Sequence, residues 1–191
     1  SRYFADENRF ADTIWVFRRA VYIFLFVNTL TLLPIADQIW GNGALHLEAP
    51  VPEHFYSPLL YFLSGTKGGT WHGLFLAGQI IFIFWGFFGK YPRVTAFMIF
   101  LITANLYYKA QIIANGGYQI ILLMLFFLLF MGERKEKHQL WYIRNALSNL
   151  ALIAARIQLV LLYAFAGINK LQGDLWGKGE ALYYALSMEE F

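Results

Sequence analysis

The run from Thr13 to Ile35 stays apolar for 23 residues and constrains the fold more than any other stretch. As a helix it would be roughly 35 Å long, enough to cross the hydrocarbon core of a bilayer with modest tilt. Further apolar runs cover Thr70 to Phe88, Val94 to about Ala114, and Ile120 to Met131. The last of these is short for a span unless it begins at Tyr118, so it is expected to sit tilted or to thin the bilayer locally. A fifth run follows an interfacial lead-in from Leu140 to Asn149 and continues to about Asn169. The chain is 59% hydrophobic and only 14% charged, where a soluble domain is roughly 45 to 50% apolar and 25% charged. These features predict an all-α integral membrane protein of about five transmembrane helices with interfacial or re-entrant segments, forming a single membrane domain over residues 1–191.

The segments between the runs fit that expectation. Residues 1–12 read as a polar, water-facing arm or interfacial helix, and Arg18 and Arg19, one turn inside the first span, are expected to snorkel to the headgroups. Pro34 marks where that span should end. Residues 36–69 form the long connection, punctuated by Gly41-Asn-Gly43, Pro50, Pro52, Pro58 and Gly65 to Gly69. Within it, Phe55 to Leu63 is apolar but too short to span. Gly89 to Arg93 and Asn115-Gly-Gly117 read as tight turns, Glu133 to His138 lies outside the membrane, and Glu180 to Phe191 is amphipathic. Ser1 stands where no leader precedes the first span, as in a trimmed or partial product.

Charge placement predicts the orientation. With a cytoplasmic N-terminus, Arg2, Arg9, Arg18, Arg19, Lys90, Arg93, Arg134, Lys135, Lys137 and Arg144 lie inside, ten of the 15 cations. Lys67, Lys109, Lys170, Lys178 and the C-terminal segment then fall on the non-cytoplasmic side. The net charge of +3 thus reports topology, and no nucleic-acid partner is expected. Aromatic residues at 19% must face lipid or its interfaces, because one small core could not hold them. Membrane lipids are therefore the first expected partner, and other membrane subunits the second. With no cysteine, disulfides, thiolate nucleophiles and Cys-based metal sites are excluded. His46, His54, His72 and His138 form neither His-x-x-x-His nor His-Glu-x-x-His, so no metal is expected.

Chemistry concentrates on the fifth span. Asn149, Arg156, Tyr163 and Lys170 recur every seven residues, on a stripe drifting by about 20° per heptad. A polar stripe in a lipid-embedded helix is expected to face the bundle interior. Arg156 would need a partner there: Asn105, Gln158, backbone carbonyls, a lipid phosphate, an anionic ligand or a neighbouring subunit. The plainer reading is a structural arginine that snorkels or is bonded to carbonyls. Lys170, at the outer end of the helix beside Gly167, can lose solvation and serve as a general base. The plainer reading there is a snorkelling lysine that complements the helix C-terminus.

The stretch Ala166-Gly-x-x-Lys170-Leu-x-Gly-x-x-Trp176-x-x-Gly179-x-Ala-Leu-Tyr-Tyr-Ala-Leu186 resembles the signature of the horizontally transferred transmembrane (HTTM) family, which includes the vitamin K-dependent gamma-carboxylases. Val16-Phe-Arg18, Asn115-Gly-Gly117 and Arg156-x-Gln158-x-x-x-x-Tyr163 extend the likeness upstream. It implies that Lys170 matches the lysine that deprotonates vitamin K hydroquinone, and that the site faces the non-cytoplasmic side. The oxygenated vitamin then supplies the stronger base that removes a glutamate gamma-proton before CO2 is added. A quinone or quinol is the implied cofactor or substrate, and a C-terminal extramembrane domain is implied beyond residue 191. A histidine that assists the lysine in the carboxylases would fall near Ala146, and the nearest histidine here is His138. Two functions are thus expected. One is Lys170 acting as a base on a quinol or other lipophilic substrate, with Arg156, Tyr163, Asn105, Gln158 and Trp176 contacting substrate or anion. The other is a non-catalytic membrane subunit or anchor packed against partner chains and lipids.

Overall fold

The computed structural model describes residues 8–41, 71–88, 91–109, 116–132, 142–173, 176 and 178–180. Among the described residues all regular structure is helical: α1 (Ala11–Leu32), a 3₁₀ turn (Leu33–Ile35), α2 (Ala36–Trp40), α3 (Trp71–Phe87), α4 (Pro92–Lys109), α5 (Gly116–Phe130) and α6 (Tyr142–Gln172). The segment Ala11–Trp40 and helix Tyr142–Gln172 are long and apolar enough to cross a membrane, while α3, α4 and α5 are apolar but shorter. The expected segments Phe55 to Leu63, Glu133 to His138 and 181–191 lie outside the described residues.

Several boundaries differ from expectation for local reasons. The chain does not leave the helix at Pro34, because proline is tolerated in the first turn of a helix and here begins a 3₁₀ turn that leads into α2. Gly116 and Gly117 belong to α5 rather than to a turn, so this helix starts four residues before Ile120. The interfacial lead-in and the fifth span are one continuous helix of 31 residues.

The chain divides into two compact units, Ser1–Leu152 and Ile153–Phe191. In the first, α4 packs against α3 and α5, and α1 closes the ring against the same two helices. Hydrogen bonds set the helix directions. Arg18, near the start of α1, reaches Pro92 at the start of α4 and Leu128 near the end of α5. Trp40, beyond the other end of α1, reaches Leu106 late in α4. Helices α1 and α4 therefore run one way, and α3 and α5 the other.

The buried positions recur at helical spacing, with Ile14, Arg18, Tyr22, Leu25 and Thr29 on α1, Leu76, Gln79, Ile83 and Gly86 on α3, and Ala96, Ile99, Thr103 and Leu106 on α4. Threonine, alanine and glycine at these contacts let the helices approach closely. The outer faces remain apolar: Ile23, Phe24 and Val27 of α1 and Leu74, Ile81 and Phe84 of α3 are all exposed.

Arg18 does not snorkel. Its side chain is 0% exposed, and its guanidinium donates from Nη1 to Pro92 O at 2.7 Å and from Nη2 to Met131 O at 2.9 Å. Longer contacts reach Leu128 O at 3.4 Å and the Tyr22 hydroxyl at 3.5 Å. The reason is the end of α5, whose last carbonyls lack intrahelical donors. A planar fork of donors satisfies several of them at once. Arg19 stays at the surface but folds back, donating to Trp15 O and Phe87 O, with its guanidinium carbon 3.7 Å from the centre of the Trp15 ring. Asn8 and Ser148 complete the cap around Gly132, Asn8 donating to its carbonyl and Ser148 Oγ accepting its N–H at 2.9 Å.

At the opposite end, the buried Trp40 donates its indole N–H to Leu106 O at 2.8 Å and packs with Ala36, Leu76 and Leu106. Phenylalanine at position 40 keeps most of the apolar body and removes the donor. Trp40→Phe is expected to cost about 1–2 kcal/mol, the typical penalty for stranding a buried acceptor, read as a lower thermal midpoint in detergent micelles.

Candidate functional site

Each unit presents its own polar constellation. In the second, Lys170 lies in the last turn of α6, where a cation complements the helix C-terminus. Three successive tight turns follow. Gly173 N–H donates to Lys170 O at 3.2 Å, Trp176 N–H to Gly173 O at 3.0 Å, and Gly179 N–H to Trp176 O at 3.2 Å. Gly179 has φ of 77°, a left-handed conformation that a side chain would strain. This coil of turns brings Trp176 back toward the helix, and the Lys170 ammonium sits 4.7 Å from its ring centre. The negative face of an indole attracts a cation at that distance. Lys170, Trp176, Arg156 and Tyr163 are exposed, and Gln158 is half-buried.

The heptad stripe is continuous on α6, but its environment changes along the helix. Asn149 is fully buried, with Asn145 and Ser148 beside it on the inner face, whereas Arg156, Tyr163 and Lys170 are exposed. Asn105, an expected partner for Arg156, is buried on α4 in the first unit. Its amide donates to Leu101 O at 2.7 Å, and its Oδ1 has no hydrogen-bond partner among the described residues. The structure thus brings Lys170 together with Trp176, and holds Asn105 in a local helix contact.

The first unit holds a cavity that single-residue inspection missed. Asn28 and Thr29 of α1, Gln79 of α3, Thr103 and Tyr107 of α4 and Tyr118 of α5 line it, together with Trp40 and several leucines. About 20 Å³ is open to the centre of a water-sized sphere, room for a water or a small polar group. Its polar lining is paired across helices, Gln79 Nε2 to Thr103 Oγ1 at 3.2 Å and Asn28 Nδ2 to the Tyr118 hydroxyl at 3.2 Å. The Tyr107 and Tyr118 rings lie 5.6 Å apart. The usable signal was a lone amide in an otherwise apolar run, Asn28 in the first and Gln79 in the second, since a polar group on an apolar helix turns toward partners in a packed interior.

His72 shares the inner face of α3 with Leu76 and Gln79 at helical spacing. Its Nε2 lies 2.9 Å from Asp37 Oδ1, while its buried Nδ1 has no hydrogen-bond partner among the described residues. Among the described residues, no three His, Cys, Asp or Glu side chains gather as a metal site. No family model, curated protein or solved structure matches the chain.

Proposed function

We propose that the chain is a membrane-embedded helical domain of the HTTM and gamma-carboxylase-like kind, with α1 and α3 to α6 crossing the bilayer and the N-terminus cytoplasmic. The exposed apolar faces of α1 and α3 support a lipid surround. The shorter helices, about 22–27 Å at 1.5 Å per residue, would cross with local thinning of the bilayer. Arg18, Arg19 and Arg93 share the end of the first unit where α1 begins, which suits a cytoplasmic face.

At the non-cytoplasmic end, Lys170 is proposed to act as a base on a quinol or other lipophilic substrate. The observation that carries this is the Lys170–Trp176 pair. A base must be held in place and yet reachable, and Lys170 is packed on an indole face while remaining exposed. In the proposed step the neutral amine takes the proton of a substrate hydroxyl, leaving an ammonium against the ring and an oxyanion beside it. Lys170→Met is expected to abolish quinol-dependent turnover while the protein remains folded, and unchanged turnover would sink the assignment. Trp176→Ala should lower turnover with folding intact.

The second reading, a non-catalytic subunit or anchor, is favoured by a different observation. Ile157, Val160, Leu161, Phe165 and Ile168 of α6 are all exposed, a surface suited to a partner helix as well as to lipid. Gentle extraction from the native membrane, followed by mass identification of what stays bound, separates the two. A stoichiometric protein partner supports the subunit reading, and a bound quinol supports the base.

A further inference from the structure

Cations crowd the end of the first unit where α1 and α4 begin. Arg93, half-buried in the first turn of α4, donates from Nη2 to Phe130 O at 3.3 Å, its one hydrogen bond among the described residues. The same nitrogen would lie 3.6 Å from a Cβ built on Gly132. Gly132 is bonded in turn to Ser148 of α6, and Arg144 stands one turn before Ser148 on the same helix face. Arg18 is buried on the inner side, bonded to Met131 O. Arg144 and Arg18 are both close enough to press on the Arg93 charge. A partly desolvated guanidinium beside two others draws anions toward this end of the unit.

We propose that Arg93 and Arg144 bind the phosphate of an anionic phospholipid from the leaflet at this end of the bundle, an inference that rests on the membrane-embedded reading above. Arginine presents paired donors that match phosphate oxygens, and a single bond to Phe130 O leaves most of the Arg93 fork available. The aromatic residues at the same end favour a lipid over a free anion. Tyr91 and Tyr142 are exposed two residues before Arg93 and Arg144, and Trp15 is exposed against Arg19 at the same end; such side chains settle at headgroup level. Cations beside a membrane helix attract anionic lipid, each contributing roughly fivefold in affinity.

The test is native mass spectrometry of the whole chain in detergent micelles, with phosphatidylglycerol and phosphatidylcholine in competition and the thermal midpoint followed in parallel. The wild-type chain is expected to retain one phosphatidylglycerol in preference and to melt higher with it. The double variant Arg93→Gln/Arg144→Gln should bind it roughly 25-fold more weakly, the product of two such factors, while Lys178→Gln binds as wild type. Equal retention of the two lipids by the wild type would overturn the site, and that comparison stands even if the double variant fails to fold. Unchanged affinity in a folded double variant, or the same stabilisation by inorganic phosphate alone, would overturn it as well. A chain that fails to enter vesicles at all would overturn the membrane reading and this site with it. Insertion without lipid preference would overturn this site only.

Discussion

Replacing Arg18 by leucine is expected to lower the stability of the first unit by about 3–5 kcal/mol, short of the full penalty for stranding three buried carbonyls at roughly 1–3 kcal/mol each. The carbonyls are those of Pro92, Leu128 and Met131, and they belong to two different helices. Removing the arginine also removes the cost of burying its charge, which is why the expected loss is less than the full sum. Arg18→Lys keeps the charge but replaces a planar fork by a point donor. It cannot meet Pro92 and Met131 with the same geometry, so it should recover only part of the loss. Thermal unfolding in detergent micelles checks both variants. A midpoint for Arg18→Leu within a degree of wild type would show that the carbonyls find other donors.

Gly86→Leu should be comparably severe, at about 3 kcal/mol, the upper range for overpacking. The ring of Tyr22 lies directly against the Gly86 backbone, where a Cβ would collide with it and press on Thr95 Oγ1. Tyr22 is fully buried and has little room to yield. Gly86→Ala gives the sharper test of sign. Helix propensity alone predicts a gain of about 1 kcal/mol, whereas the collision predicts a net loss. Combining Gly86→Ala with Tyr22→Leu should remove most of that loss, a coupling that a double-mutant cycle measures directly. A stabilised Gly86→Ala single variant would show that the ring moves freely.

The helices were largely legible in the sequence because each depends on a local apolar run. The helix ends were less so: Pro34 opened a turn instead of stopping the chain, and Gly116 and Gly117 entered α5. Lys170 and Trp176 could be singled out together because six residues separate them in one motif. Asn28, Gln79, Thr103 and Tyr118 could not, since each stands alone in its own apolar segment and only packing brings the four around one cavity. Arg18 was noticed in sequence and given the wrong surroundings.

The reason is physical. In a soluble helix the polar face marks the outside, but here both faces are apolar, so periodicity does not say which side is buried. The sequence by itself determined an all-helical chain, the apolar runs, the uneven distribution of cations and the junction at Lys170. Only the tertiary structure decided which face of each helix turns inward, that Arg18 caps α5 rather than reaching the headgroups, and that Tyr22 needs glycine at 86. Those outcomes depend on carbonyls and rings from segments about 60 to 110 residues away, and no local pattern carries them.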